Sequence, residues 1–260
     1  MKDLYLKNGD LKNYPRLFED IFHIESTLYK YEENEEIIIL KMFDDYMYKK
    51  LMQSKEHKIS YFQNNNHPYL TNPLFRVYIN NYFAGYGMHY FNGQNIEIFS
   101  KSLPLKEQIN LFKSLSDAIK KAHQDNLILG DVNFNNILTD GKTIKFCDID
   151  SIGTPYSPPI TIPYILGNNV NLTENDTGNI YSDLFIVNLM ILQIFMHIDM
   201  NSLANLSIEE YHNIIKKLKL SSTLNYVFLN LYHNLINKDK LIYPSSYLDE
   251  LYEVKKRIRN

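Results

Sequence analysis

The feature that most constrains the fold is a change in the hydrophobic pattern near residue 102. Before this point, runs such as "STLYKYE" and "EIIILKMF" are rich in β-branched and aromatic residues and are separated by polar turns, as in antiparallel strands. After it, the run "LKEQINLFKSLSDAIKKAHQDN" places its apolar residues close to one face of a helix: Ile109, Phe112, Leu115, Ile119 and Ala122. The sequence therefore predicts an α+β protein that is β-rich first and mainly helical afterwards.

One helix is expected within the β-rich part. Residues 26–32 and 36–43 predict a hairpin, and residues 44–62 predict a helix that starts at an aspartate. Two further strands follow, at about "LFRVYIN" and "FAGYGMHYF". We therefore divide the chain into an N-terminal lobe, residues 1–92, and a C-terminal lobe, residues 93–260, which together would form one catalytic unit.

Composition excludes several classes of function. A net charge of -3 over 260 residues argues against a nucleic-acid partner, which would require a basic face. The longest apolar stretch, residues 184–196, is too short to cross a bilayer and is interrupted by Asn188 and Gln193. A single cysteine, Cys147, fits a reducing compartment, and no apolar run resembling a signal peptide opens the chain. We expect a cytoplasmic protein without membrane or nucleic-acid partners.

The stretch "LILGDVNFNNILTDGKTIKFCDIDS" concentrates acids and amides between apolar residues. Asp131 is followed five residues later by Asn136, and Asp148 ends the short strand "TIKF" that comes after an Asp-Gly turn. Asp and Asn are poor strand residues, yet the runs "NNIL" and "TIKF" around them predict strands. These polar residues are therefore candidates for a functional site.

Together with "IIILK" upstream and Asp183 downstream, this order resembles the protein-kinase-like superfamily, and it is closest in appearance to atypical bacterial Ser/Thr protein kinases. The matching residues are Lys41, Asp131, Asn136, Asp148 and Asp183. The resemblance implies a two-lobed protein-kinase-like fold, with a small β-rich N-lobe carrying one helix and a larger, mainly helical C-lobe.

The resemblance also implies roles for these residues in using ATP. Lys41 would bind the α- and β-phosphates, and Asp131 would orient the acceptor hydroxyl and accept its proton. Asp148 and Asn136 would bind Mg²⁺ (or Mn²⁺), which prefers hard oxygen ligands and keeps several waters. Asp183 would accept hydrogen bonds from the backbone of the catalytic loop.

Further residues would complete the nucleotide site. An acid on the helix that follows Lys41 would hold this lysine; Glu56 is our candidate, with Asp44 and Asp45 as alternatives. Cys147 would line the back of the nucleotide pocket. Asp150 could be a second metal ligand, but we favour a turn-forming role for it.

The sequence departs from the family pattern in several places. No glycine occurs between Gly9 and Gly85, so Ser26 and Thr27 would have to supply hydroxyls where the family has a glycine-rich loop. Leu129-Gly130 replaces the usual His-Arg, and Gly130-Asp131 resembles the aminoglycoside and choline kinase branch and the atypical bacterial kinases. The Asp-Phe-Gly motif becomes Asp-Ile-Asp at residues 148–150, a form that resembles a set of bacterial kinase-like proteins.

Three functions are compatible with these residues. The first is a Ser/Thr protein kinase with a protein substrate, which the run "GTPYSPPITIPYIL" favours because it resembles a peptide-binding platform. The second is a small-molecule phosphotransferase of the aminoglycoside or choline kinase type, and the third is a pseudokinase that serves as a binding module. We favour the first, because the four residues that would carry out transfer are all present: Lys41, Asp131, Asn136 and Asp148.

Overall fold

In the computed structural model of this protein, residues 2–7, 9–17, 25–33, 35–44, 46, 48–159, 178–204 and 206–259 are described. The chain divides into two units. The first unit comprises Met1–Asn92 with Lys145–Asp150, and the second comprises Gly93–Ile144 with Ser151–Asn260. The segment Lys145–Asp150 thus groups with the first unit, whereas the sequence analysis drew its boundary at residue 92.

A five-stranded sheet forms the centre of the first unit, in the order β1-β4-β5-β3-β2. The predicted hairpin is confirmed, because β2 and β3 pair antiparallel and place Lys41 opposite Leu28. The first strand was not predicted; it has three residues and pairs in parallel with β4. The strands are β1 (Leu4–Leu6), β2 (Ser26–Glu33), β3 (Glu36–Phe43), β4 (Pro73–Ile79) and β5 (Tyr82–His89).

Both faces of β3 are buried, which explains its nearly continuous apolar run. Ile38, Leu40 and Met42 enter a core that also contains Val77 and Ala84. Because side chains alternate along a strand, Lys41 belongs to the opposite face. A lysine is therefore built into a buried surface of the sheet, where a charged group needs a partner.

The helix after β3, α1 (Lys49–Asn64), begins five residues later than predicted. Its buried residues are Met52, Lys55, Lys58, Ile59 and Phe62. Three of them, Met52, Ile59 and Phe62, follow helical spacing and form an ordinary apolar face. The two lysines lie among these residues, so α1 brings positive charge into the interior of the first unit.

The second unit is mainly helical. Its longest buried helix, α4, starts with a capping box formed by Asn179 and Ser182 and is apolar on all sides because it lies in the core. The helices are α2 (Ile96–Lys101), α3 (Leu105–Gln124), α4 (Ile180–Met196), α5 (Met200–Ala204), α6 (Ile208–Lys217), α7 (Ser222–Leu229), α8 (Leu231–Asn237) and α9 (Leu248–Arg259).

Short strands lie within and before the polar stretch that the sequence analysis identified, at residues 127–151. They are β6 (Gln94–Asn95), β7 (Ile137–Thr139) and β8 (Ile144–Phe146), and β6 pairs antiparallel with β7. The predicted α+β class is thus confirmed, with a β-rich first part and a mainly helical remainder. Within the described ranges, no helix combines the length and the hydropathy that a membrane span requires.

Candidate functional site

The first unit brings Lys41 together with two aspartates that lie more than a hundred residues further along the chain. The Lys41 Nζ atom donates hydrogen bonds to the carboxylate of Asp148 and, at 2.6 Å, to Oδ1 of Asp150. Lys41 comes from β3, Asp148 follows β8, and Asp150 lies in a short 3-10 turn, Ile149–Ser151. Lys41 and Asp148, which the resemblance assigns to one nucleotide site, therefore contact each other.

Asp150 is the most enclosed acid of this group, with no exposed surface. Its Oδ1 accepts hydrogen bonds from Lys41 and, at 3.2 Å, from the Tyr86 hydroxyl, and its Oδ2 accepts one from Lys55 Nζ at 2.7 Å. Burial by itself raises the pKa of Asp150, but the Lys41 and Lys55 ammonium groups outweigh burial and hold this pKa below its usual value. Asp150 is therefore an ionised, fully bound carboxylate.

Two lysines of α1 complete what we call the lysine–aspartate cluster: Lys41, Lys55, Lys58, Asp148 and Asp150. Lys55 Nζ also lies 4.4 Å from the centre of the Phe43 ring, a cation–π contact. Burial lowers the pKa of Lys58 to about 8, while the charge of Asp150 raises it and the charge of Lys55 lowers it. The cluster thus contains three lysines and two aspartates in a largely buried setting.

Asp148 differs from Asp150 in being partly accessible, with 27% of its side chain exposed. Its backbone is in the left-handed region, with φ of 62°, which costs most L-residues about 1–2 kcal/mol but is tolerated better by Asp and Asn. Strained backbone of this kind concentrates at functional sites. Asp148 is therefore the carboxylate of the cluster that can offer an oxygen to a bound ion.

The donor chemistry at Asp148 suits magnesium. Mg²⁺ takes one or two protein carboxylates together with waters and phosphate oxygens, so it needs no cage of protein ligands. Among the described residues, no three His, Cys, Asp or Glu side chains are grouped so that they could hold a metal ion by themselves. Asp148 has the donor type that Mg²⁺ takes from a protein as a single carboxylate ligand.

The acid that was predicted to hold Lys41 is engaged elsewhere. Glu56 Oε1 accepts a hydrogen bond of 2.6 Å from the Tyr78 hydroxyl and lies 3.8 Å from Arg76 Nη1. Of the two alternatives, Asp44 accepts a hydrogen bond from Thr27 Oγ1 at 3.1 Å, and residue 45 lies outside the described residues. Lys41 is held instead by Asp148 and Asp150, which lie more than a hundred residues later in the chain.

The residues predicted to replace the glycine-rich loop lie at the start of β2. Ser26 pairs with Phe43, and Thr27 pairs with Met42. The Thr27 hydroxyl donates to Asp44, so this hydroxyl already has an acceptor. Cys147 is half-buried and immediately precedes Asp148. A nucleotide-binding role for Ser26, Thr27 and Cys147 stays a prediction.

In the second unit, the polar residues that follow α3 form a compact loop, residues 129–136, which we call the Asp131 loop. The Nδ2 atom of Asn136 donates to Asp131 Oδ2 at 2.8 Å, and the Nδ2 atom of Asn133 donates to Asp131 Oδ1 at 3.1 Å. The Asn133 Oδ1 atom caps the 3-10 turn Phe134–Asn136. Each carboxylate oxygen of the half-buried Asp131 is thus oriented by one neutral amide.

Asp183 fixes the backbone of this loop. It is fully buried on the first turn of α4 and accepts hydrogen bonds from the Leu129 and Gly130 N–H groups at 2.8 and 2.9 Å. His123 Nε2 lies 3.1 Å from the same carboxylate. The structural role predicted for Asp183 is confirmed.

Gly130 is required where it stands for two reasons. Its φ is +74°, and a Cβ atom at this position would come within 2.6 Å of Pro159 Cβ. A larger residue in place of Gly130 would clash with Pro159 and strain the backbone. The presence of glycine at position 130 therefore follows from the local packing of the loop.

Sequence reasoning missed the role of Asp150 as a partner of Lys41 and did not consider Lys55 as a site residue. A signal for Lys55 was present, because it lies three residues after Met52 and four before Ile59, on the apolar face of α1. A lysine in that position has to find a buried anion. No comparable pattern identifies Asp150.

Comparison with known proteins adds no further identification. No protein-family model matches the chain, and no curated protein matches it.

Proposed function

We propose that this protein is an ATP-dependent phosphotransferase that transfers a phosphoryl group to a Ser or Thr hydroxyl of a protein substrate. The observation that carries the proposal is the pairing of Lys41 with Asp148. These two residues were selected from the sequence as the phosphate-binding lysine and the metal-binding aspartate, and a long separation in the chain made their meeting improbable by chance.

The lysine–aspartate cluster would bind the nucleotide phosphates. Lys41 supplies an ammonium group that can donate to phosphate oxygens, and Asp148 would hold the magnesium ion that accompanies ATP. The ion, when bound, neutralises charge on the phosphates. Phosphoryl transfer depends mainly on positioning and charge neutralisation, so these residue types suit the reaction.

The Asp131 loop would handle the acceptor. Asn133 and Asn136 each use one hydrogen bond to orient the Asp131 carboxylate, whose oxygens together offer about four lone-pair sites. The remaining sites can accept a hydrogen bond from an incoming hydroxyl and then take its proton. Because the Asn136 Nδ2 atom donates to Asp131, the atom that Asn136 can offer to a metal is Oδ1.

The proposal that the acceptor is a protein hydroxyl is based on the sequence rather than on the described structure. The run that resembles a peptide-binding platform covers residues 153–166. Its residues from 160 onward lie outside the described part of the chain. In the part before that, Ile128 and Gly153 exchange backbone hydrogen bonds of 3.1 and 2.7 Å, which joins this segment to the chain just before the Asp131 loop. In the proposed function, the segment that starts at Gly153 would present a hydroxyl to Asp131.

Transfer of label from γ-labelled ATP tests the proposal. Wild-type protein with magnesium should label itself or a generic protein substrate, and Asp131→Asn should lower the rate at least about a hundredfold, the usual range for loss of a general base. Asp117→Asn, which changes an exposed aspartate on α3, is the matched control and should keep full activity. Label that appears only with an added metabolite panel would identify a small-molecule enzyme, and no transfer under any condition would identify a pseudokinase.

Alkylation of Cys147 gives a second readout that does not need turnover. If this half-buried thiol lines the nucleotide pocket, MgATP should slow its modification by a thiol reagent. The same concentration of magnesium without nucleotide should leave the rate unchanged. An equal rate with and without MgATP would remove Cys147 from the site.

A further inference from the structure

Helix α1 contributes a cation, rather than an acid, to the surroundings of Lys41. We propose that Asp150 is the positioning residue for Lys41, and that Lys55 of α1 fixes Asp150 in place. This inference rests on the proposed function, because it assigns Lys41 the task of binding phosphate. It goes beyond that function by naming two residues that the resemblance to kinases does not supply.

The geometry of Asp150 supports this assignment. Its two oxygens bind different partners, with Lys41 and Tyr86 on Oδ1 and Lys55 on Oδ2. A carboxylate held on both oxygens cannot rotate without breaking charge-assisted hydrogen bonds. Asp150 therefore presents Oδ1 to Lys41 in one fixed direction.

The contrast between the two carboxylates that bind Lys41 supports the assignment as well. Asp148 is partly exposed, so it can exchange Lys41 for another cation. Asp150 is completely enclosed and accepts hydrogen bonds from three donors, so it is less suited than Asp148 to exchange Lys41 for a metal ion. Lys41 can thus lose Asp148 to a ligand and still be held by Asp150.

Lys55 also determines the charge of the cluster. Three lysines face two aspartates, so the cluster itself has an excess of one positive charge when all five groups are ionised. The exposed Glu25 carboxylate lies 3.7 Å from Lys55 Nζ at the edge of the cluster. A glutamate at position 55 would reverse that excess. Because ATP brings several negative charges, a lysine on α1 favours its binding in a chain that has no glycine between Gly9 and Gly85 to bring backbone amides near the phosphates.

The alternative is that Lys55 and Asp150 form a structural ion pair with no effect on Lys41. Four variants separate these possibilities. Asp150→Asn removes the charge and keeps the shape, Lys55→Met removes the ammonium group, and Lys55→Arg keeps the positive charge. Lys50→Met alters an exposed lysine of the same helix and serves as the control.

The first measurement needs no nucleotide. An amine-acylating reagent is applied to the folded protein, and peptide mass spectrometry gives the rate at which Lys41 is modified relative to the exposed Lys49. Asp150→Asn should raise this ratio at least fivefold and Lys55→Met at least twofold, whereas Lys55→Arg and Lys50→Met should leave it unchanged. An unchanged ratio in Asp150→Asn would overturn the proposal.

The second measurement is steady-state transfer from ATP. Lys55→Met should lower kcat at least tenfold with a smaller change in KM for ATP, and Lys55→Arg should restore most of the activity. A fall in kcat that only follows loss of folded protein, without recovery in Lys55→Arg, would show a structural pair and contradict the proposal. If wild-type protein transfers no phosphate, the proposed function fails, and the labelling ratio alone decides whether Asp150 and Lys55 hold Lys41.

Discussion

The two clusters of acids in this protein are stabilised in opposite ways. In the lysine–aspartate cluster, Asp150 is fully buried and is held by two ammonium groups and a phenol. In the Asp131 loop, Asp131 is half-buried and is held by neutral amides of Asn133 and Asn136. A buried charge has to be paired for the fold to be stable, whereas a partly exposed carboxylate with amide partners keeps capacity for a ligand. Removing Asp150 from the first cluster should therefore cost more stability than removing Asp131 from the second.

The largest effect on stability is expected for Asp150→Ala. This change leaves Lys41 and Lys55 buried close to each other without their shared carboxylate, which should lower the free energy of unfolding by about 3–5 kcal/mol. Urea denaturation measures the difference. The matched change Asp131→Ala should lower the same free energy by less than about 1 kcal/mol, in line with a partly exposed group bound by neutral amides. Equal losses in the two variants would remove the distinction between the clusters.

A comparable effect on stability is expected for Asp183→Leu. The Leu129 and Gly130 N–H groups would lose their acceptor inside the second unit, at about 1–3 kcal/mol for each unsatisfied donor. The rate of label transfer should fall by more than the loss of folded protein explains, because these two residues directly precede Asp131. Urea denaturation and label transfer on the same preparation separate the two effects. A stable variant with normal transfer would show that Asp183 is not needed to position the loop.

The pH dependence of stability should reveal Lys58. Its pKa is about 8 in the folded protein against an ordinary value of 10.5. Between these values the unfolded chain holds a proton that the folded protein has released, so this group makes stability rise with pH, by up to about 1.4 kcal/mol per pH unit. Below pH 8 the lysine is charged in both states and contributes no slope.

Urea denaturation from pH 7.5 to 9.5 tests this expectation. At higher pH, unfolding allows buried tyrosines such as Tyr86, whose pKa is raised in the folded protein, to ionise, and this makes stability fall with pH. Lys58→Met should flatten the profile, and the exposed Lys50→Met should keep the wild-type slope. A steeper rise in Lys58→Met than in wild type would mean that burial does not favour the neutral amine.

The smallest effect is expected for Glu56→Gln. The carboxylate of Glu56 accepts a hydrogen bond from Tyr78 in a partly exposed setting, so its loss should change stability by less than about 1 kcal/mol. Affinity for MgATP should stay within twofold of wild type, because Lys41 is held by other residues. A tenfold loss of nucleotide affinity would restore Glu56 as the acid that serves Lys41.

Much of the fold could be read from the sequence because local patterns determine it. The hairpin of β2 and β3 follows from two β-rich runs around a polar turn, and α3 follows from regular apolar spacing. The strand β1 was missed because three residues give no period, and its parallel pairing with β4 depends on a distant partner. The late start of α1 was missed because Asp44 precedes a turn and does not cap the helix.

The candidate site was predictable where spacing in the chain carries information. Asp131, Asn133 and Asn136 are close in sequence, so the geometry of one loop brings them together. The partner of Lys41 was not predictable in the same way, because the sequence allows either Glu56 or Asp150 to lie next to Lys41. Only three-dimensional packing shows that Glu56 binds Tyr78 and that Lys55 turns inward to Asp150.

Calorimetric titration with MgATP is the most direct test of whether Lys41 and Asp148 form a nucleotide site. Wild-type protein should bind MgATP, Lys41→Met should bind at least tenfold more weakly, and Asp131→Asn should bind as well as wild type, because its carboxylate serves the acceptor. Lys145→Met, which alters a lysine of the same unit that donates to backbone carbonyls, is the control. Undiminished binding in Lys41→Met, or no binding by wild type at any magnesium concentration, would contradict the proposed site.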